Sequence, residues 1–290
     1  MRIDAHQHFW HYQAADFPWI DASMAILKRD YLPRELASER ATCDIQASIA
    51  VQARPDEAET RWLLDLSHQD SSIAGVVGWV DLAAPDLEAR LDQWPSPRLC
   101  GFRHLIQDEP QPAAYMEAPS VRRGIRTLQR RALSYDVLVT AADLAAAYAL
   151  SADCDDHVLI LDHLGKPDIR HGGFAAWRRE FQRFHDLEHV ACKLSGLITE
   201  ADWHHWQAET LWPYLDTALE VFGEHRLLFG SDWPVCRVAG SYLSVYRLIE
   251  DWSTQRGLDK AALFGGNAER FYRLDHPPRP LSSYEVKHES

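Results

Sequence analysis

No run of apolar residues approaches the roughly 20 that a membrane span requires, so an integral membrane protein is not expected. The chain opens "MRIDAHQHFW", without an apolar signal core, and export is not expected either. Positive charge is scarce: 30 Lys and Arg stand against 43 Asp and Glu, giving a formal net charge of −13. No basic stripe interleaved with aromatics occurs, which argues against nucleic acid as a partner; the same deficit argues against an anionic membrane surface. Cysteine is limited to Cys43, Cys100, Cys154, Cys192 and Cys236, an odd number with no CxxC pair. That usage reads as free thiols in a reducing cytoplasm. There is no GxSxG nucleophile motif, no Gly-rich phosphate loop after the first strand pattern and no internal repeat.

What is present is a large stock of core residues, 46% hydrophobic with 11 Trp, in 290 residues. Short apolar runs recur at 2–9, 47–53, 73–82, 100–106, 136–140, 158–165, 190–196 and 227–235. Most are continuous rather than alternating, as parallel strands covered on both faces should be. Helical patterns lie between them. In 56–70, Ala58, Arg61, Trp62 and Asp65 fall at helical spacing, with Leu63, Leu64 and Leu66 widening the apolar face. Segment 84–94 starts with Pro85 in its first turn, 120–133 spaces Val121, Ile125 and Leu128, and 173–187 spaces Phe174, Trp177, Phe181 and Phe184. Asn267 is expected to cap the last helix, with Phe271 and Tyr272 packing that helix inward. Strand and helix alternating in this way predict a (β/α)8 TIM-type barrel, a single catalytic domain over 1–275. A polar extension over 276–290 follows. The doubly wound sheet is the runner-up and lacks its phosphate loop. Two connections, 9–32 and 107–118, are long and leave C-terminal strand ends, so they predict pocket walls.

The chemistry-bearing residues sit at those strand ends. His6 and His8 are two apart, so a strand points both to one face. Arg103 and His104 lie in the fourth strand, His163 ends the sixth and Asp232 ends the eighth. A barrel gathers the C-terminal ends of all strands at one mouth. Imidazoles and a carboxylate gathered there suit a divalent, zinc-like ion. Alternation lets one of Arg103 and His104 face the interior, and Arg103 is the choice. Trp10, Trp203 and Trp233 follow strand ends and are candidates to pack on a sugar ring. Ser195, Ser231 and Lys193 are read as structural.

The segments "DAHQHFW", "GFRHL", "LDHLGKP", "KLSGL", "FGSDWPV" and "GGNAERFYRL" resemble the amidohydrolase superfamily. Within it they resemble the sugar-lactone hydrolase branch of L-fuconolactonase- and L-rhamnonolactonase-like proteins, over about residues 1–275. The resemblance implies a distorted (β/α)8 barrel that opens a sugar lactone to its acid. It implies His6 and His8 as ligands of one divalent metal ion, zinc first. His163 would be a further ligand or a neighbour of the attacking water. Asp232 would hold the metal or its water and act as general base, and Arg103 would polarise the carbonyl, with His104 beside it. "GFRHL" lacks the Lys or Glu that bridges two metals in binuclear members, and relatives of this branch also work without metal. A metal-dependent decarboxylase and a non-catalytic metal or sugar-acid binding protein are the alternatives. Retention of Asp232 speaks against the second. The partner implied is a small-molecule lactone; the sequence leaves the oligomeric state open.

Overall fold

The computed structural model describes residues 1–274. Residue 275, where the expected domain ends, and the expected extension over 276–290 lie outside the described residues. Eight strands form one sheet: β1 (Ile3–Gln7), β2 (Ala47–Val51), β3 (Ile73–Gly78), β4 (Leu99–His104), β5 (Ser134–Val137), β6 (Leu159–Leu161), β7 (Val190–Leu194) and β8 (Leu227–Phe229). Their spatial order is their sequence order, and every neighbouring pair is parallel. A parallel bridge between Gln7 and Trp233 joins the first strand to the segment after the last. That contact turns the sheet into a barrel. All eight expected strands are present, each ending somewhat earlier than its apolar run, because the residues beyond it turn into the mouth.

The strands are buried along almost their whole length, which is why they read as continuous apolar runs. Helices cover the outside. In the helix Glu57–Gln69 the buried positions are Glu59, Thr60, Leu63, Leu64 and Ser67. This corrects the expected face at Ala58, Arg61, Trp62 and Asp65: the helix turns its leucines inward and takes Glu59 and Thr60 with them. Asp56 caps it, accepting a bond from Ala58 N at 2.8 Å. The helix Pro119–Arg130 buries Val121, Ile125 and Leu128, and Trp177, Phe181 and Phe184 are buried in 174–186, as their spacing predicts. Asn267 begins the helix Asn267–Tyr272 but does not cap it. Its amide donates instead to the carbonyls of Glu224 and Leu227, both at 2.8 Å, and so ties the helix to the start of β8.

A smaller apolar cluster joins strand residues such as Ile49, Val77, Ile160 and Leu228 to Phe271 and Tyr272. It is the floor on which the polar site stands. The long segment 9–32 is an internally bonded wall: Trp10 and Tyr31 form an antiparallel bridge, and Trp10 Nε1 donates to Arg29 O at 2.9 Å. The segment 107–118 contains a short helix, Pro112–Glu117.

Candidate active site

His6, His8, His163 and Asp232 meet at the mouth, from β1, the turn after β6 and the turn after β8. The Nε2 atoms of His6 and His8 are 3.2 Å apart. Asp232 Oδ1 lies 3.4 Å from His8 Nε2 and 3.8 Å from His6 Nε2. Backbone bonds lock the two turns together: Asp232 N donates to His6 O at 2.8 Å and His8 N to Trp233 O at 2.7 Å. His8 Nδ1 faces the Val51 carbonyl at 2.8 Å, so it carries the proton and leaves the Nε2 lone pair free. His163 Nδ1 bonds Ser195 Oγ at 2.8 Å. Gly196 lets the ring sit there, since a Cβ on it would lie 2.7 Å from His163 Nδ1.

Burial governs the charges. It keeps His6 well below its usual pKa, with the neighbouring Lys193 adding to the effect, and it lowers His8 in the same way. It pushes His163 down to about 4. All three rings are therefore neutral near pH 7. Burial works to raise the Asp232 carboxyl, yet the group lies below the usual range, with the Lys166 ammonium among the groups that favour its charged form.

A second polar layer lies beneath. Lys193 Nζ is 2.5 Å from Asp136 Oδ2, 3.0 Å from Asp162 Oδ1 and 3.0 Å from His6 Nδ1. Tyr272 OH donates to Asp136 at 2.7 Å, linking the floor helix to the site. Arg103 Nη1 is 3.1 Å from Asp162 Oδ2 and 3.3 Å from His6 Nε2, while Nη2 donates to Gln52 O. Two cations and two carboxylates thus neutralise one another below the histidines. Asp232 is left over: among the described residues its ionic contacts are with the neutral His6 and His8 alone.

This donor set fits a divalent cation. Two nitrogens on one tetrahedral zinc stand about 3.3 Å apart, close to the 3.2 Å observed. One carboxylate without a cationic partner supplies the negative charge. The donor atoms of His6, His8 and Asp232 form one cluster, and those of His6, Asp162 and His163 a second. Lys193 and Arg103 both bond Asp162 of the second cluster, and both also approach His6, which the two clusters share.

The pocket above has a volume of about 100 Å³. His8, Arg103, His163 and Asp232 line it on the polar side, together with Lys166, Gln107 and Asp108. Trp19, Leu105, Leu138 and Val235 are among its apolar walls. Both long connections contribute, Trp19 from 9–32 and Gln107 and Asp108 from 107–118. The tryptophans chosen from sequence lie elsewhere. Trp10 is 1% exposed and packs on Tyr31 and Phe17. Trp233 is as deeply buried, against Phe9 and Tyr31. Trp203 bonds Thr199 O through its Nε1, outside the pocket lining. His104 is spent on a side cluster: Trp79 Nε1 donates to its Nδ1 at 2.9 Å, its Nε2 reaches Glu109 at 2.6 Å, and Tyr115 stacks on it. Trp19 and Lys166 were missed. A tryptophan midway along a loop carries no strand-end signal, whereas Lys166 stood in view inside "LDHLGKP".

The family model described as Amidohydrolase matches residues 3–274. An L-fucono-1,5-lactonase of Burkholderia multivorans is 46% identical over 288 residues, 96% of this chain and 97% of that protein. An L-fucono-1,5-lactonase of Burkholderia ambifaria is 36% identical over 283 residues, 95% of this chain and 97% of that one. A crystal structure of an amidohydrolase from Burkholderia multivorans with bound zinc superposes with a TM-score of 0.92 at 46% identity, covering 94% of this chain and 99% of the other. The barrel accords with that match, and the chain belongs to the amidohydrolase family.

Proposed function

We propose that this protein hydrolyses a sugar lactone, with L-fucono-1,5-lactone the first substrate to test, and that one divalent ion, zinc first, sits on His6, His8 and Asp232. The observation that carries the reading is the uncompensated Asp232 carboxylate facing two neutral imidazoles in a pocket built from both long connections. Relatives named L-fucono-1,5-lactonase at 46% and 36% identity support the reaction class and do not favour the decarboxylase or the non-catalytic alternative.

A divalent cation on these residues supplies positive charge that makes a nearby water more acidic. Asp232 takes a proton from the attacking water as the water oxygen bonds the carbonyl carbon. The ring C–O bond then breaks, and Asp232 returns the proton to the leaving alkoxide. His163, neutral and oriented by Ser195, holds the water or the ring oxygen through Nε2. Arg103, pinned by Asp162 and Gln52, adds positive potential at the pocket wall. The reading extends to a reducing, cytoplasmic setting, in keeping with five buried, unpaired cysteines. No described helix is long and apolar enough to cross a membrane. The catalytic barrel is taken to span 1–275 as one domain.

The test is a pH-indicator screen of neutral aldonolactones, with elemental analysis of the same sample. Acid release from L-fucono-1,5-lactone and about one zinc per chain are expected. Release from none of the lactones would refute the reaction, and full activity in metal-free protein would refute the metal.

A further inference from the structure

The turn after β6 delivers two side chains to the mouth, and only His163 has been given a task. His163, Leu164, Gly165 and Lys166 have φ of 53°, 54°, 64° and 45°. Three of these four carry a Cβ, which the left-handed region disfavours. Such a run persists only where its surroundings hold it, and it tends to mark function. Here the backbone is held from several sides: Lys166 N donates to His163 O at 2.8 Å, Ala141 N to Lys166 O at 3.2 Å, and Trp177 Nε1 to Leu164 O at 2.8 Å. None of these bonds uses the Lys166 side chain.

That side chain lines the pocket with Arg103, His163 and Asp232. Its closest carboxylate oxygen is Glu200 Oε1, at 3.7 Å, beyond hydrogen-bond length. Burial raises the Glu200 carboxyl, and the Lys166 charge opposes that rise. Arg103, by contrast, has both terminal nitrogens engaged by Asp162, His6 and Gln52. Of the lysine and arginine side chains lining the pocket, Lys166 is the less committed, with one ion pair at 3.7 Å against three closer bonds for Arg103.

We infer that the Lys166 ammonium donates a hydrogen bond to the lactone carbonyl oxygen as it becomes an alkoxide, and afterwards holds the product carboxylate. The inference rests on the lactone-hydrolysis reading above. When the water oxygen bonds the carbonyl carbon, the C=O π pair moves onto the oxygen that Lys166 faces. When the ring C–O bond breaks, that pair returns to re-form C=O, and the carboxylic acid so formed releases its proton to solvent. Lys166 keeps its proton throughout. An ammonium attracts a neutral carbonyl weakly and an oxyanion strongly, so its removal should lower kcat and leave KM nearly unchanged.

The test compares full-length Lys166→Gly, Lys166→Met and Lys166→Arg with the parent. Glycine relieves the left-handed strain, so Lys166→Gly should melt a few degrees above the parent. Its kcat on a neutral aldonolactone should fall about a hundredfold, with KM changed less than about threefold. Inhibition by the product aldonate should weaken about tenfold in the Gly and Met variants, while inhibition by the neutral alditol stays as it was. Lys166→Arg should recover part of the rate. A Lys166→Gly protein with parental kcat, or aldonate and alditol inhibition shifting together, would overturn the inference. So would a lowered melting temperature in all three variants, which would mark a structural lysine. If the parent opens no aldonolactone, the reaction assignment fails separately. Calorimetry of aldonate binding to parent and Lys166→Met then decides whether this ammonium holds a carboxylate.

Discussion

Replacing the Asp232 carboxylate by a carboxamide changes its basicity and charge and leaves its size nearly alone. Asp232 has a φ of 56°, a left-handed value that Asn tolerates as well as Asp, so Asp232→Asn should fold. The amide takes no proton from water, and kcat should fall at least about a hundredfold. Near-parental turnover at matched metal content would move the proton to another group. His163→Asn is the companion: metal content should hold while the rate falls. Glu59 offers a different kind of test, since it is outside the pocket lining. It is 2% exposed and its Oε2 accepts bonds from Ala53 N at 3.0 Å and Arg54 N at 2.8 Å. Burial pushes its carboxyl from 4.5 up to about 7. The folded chain thus keeps a proton that the unfolded chain has already lost in this range. Stability from this group is complete below about pH 4.5 and is lost as pH rises through about 7, on the order of 3 kcal/mol in all. Glu59→Gln keeps the acceptor oxygen without the charge. Its melting temperature should match the parent near pH 4.5 and exceed it at pH 8; parallel curves across that range would show that Glu59 titrates normally.

At the scale of elements, the site depends on how the chain leaves each strand. Gly196, with φ of 70°, follows β7 where a Cβ would meet the His163 ring. Gly196→Ala should lower stability by about 1–2 kcal/mol for the backbone alone. It should also push His163 off Ser195, and a displacement of that kind can cost about a hundredfold in rate. A thermal melt with lactone kinetics checks both, and unchanged kcat would mean that His163 has room to adjust. The sequence made the strands legible, because burial on both faces writes itself as unbroken apolar runs. His6, His8, His163 and Asp232 were legible for the same reason: each lies in the C-terminal half of such a run. The helix 57–69 was harder, because Glu59 and Thr60 are polar residues on a buried face. Trp10 and Trp233 misled because a strand end says where the backbone emerges and not where a large ring then packs. Their rings turned back to Tyr31. His104 was drawn off by Trp79 and Glu109, partners remote from or irregularly spaced against β4, which no periodicity reveals. Asp136 and Lys193 sit on β5 and β7 and Asp162 directly follows β6, so they find each other only once those strands pair.

Closure is a property of the whole molecule, and the candidate ligands lie across its seam. β1 carries His6, and Asp232 follows β8, at opposite ends of the described chain. At the Gln7–Trp233 bridge the seam is held by the backbone bonds from Asp232 N to His6 O and from His8 N to Trp233 O. An ion shared by His6, His8 and Asp232 would join the same two segments, which are far apart in sequence and so gain most from being tied. It would bind the folded chain and not the unfolded one, and stability would rise by mass action. At free zinc about a hundred times the dissociation constant the gain is about 2.7 kcal/mol, or about 5–10 °C in melting temperature for a domain of this size. Zinc added to chelator-treated protein should therefore raise its melting temperature, and renewed chelation should return it. His8→Ala should remove the shift, because it deletes an imidazole whose lone pair faces Asp232 without disturbing the bonds from His8 N and Asp232 N that hold the seam. Asp232→Asn should shrink the shift without abolishing it, since both imidazoles remain. A full shift in His8→Ala would place the ion elsewhere on the chain, and no shift in the parent would leave the seam to its backbone bonds and the reaction to His163, Asp232 and the two cations of the pocket.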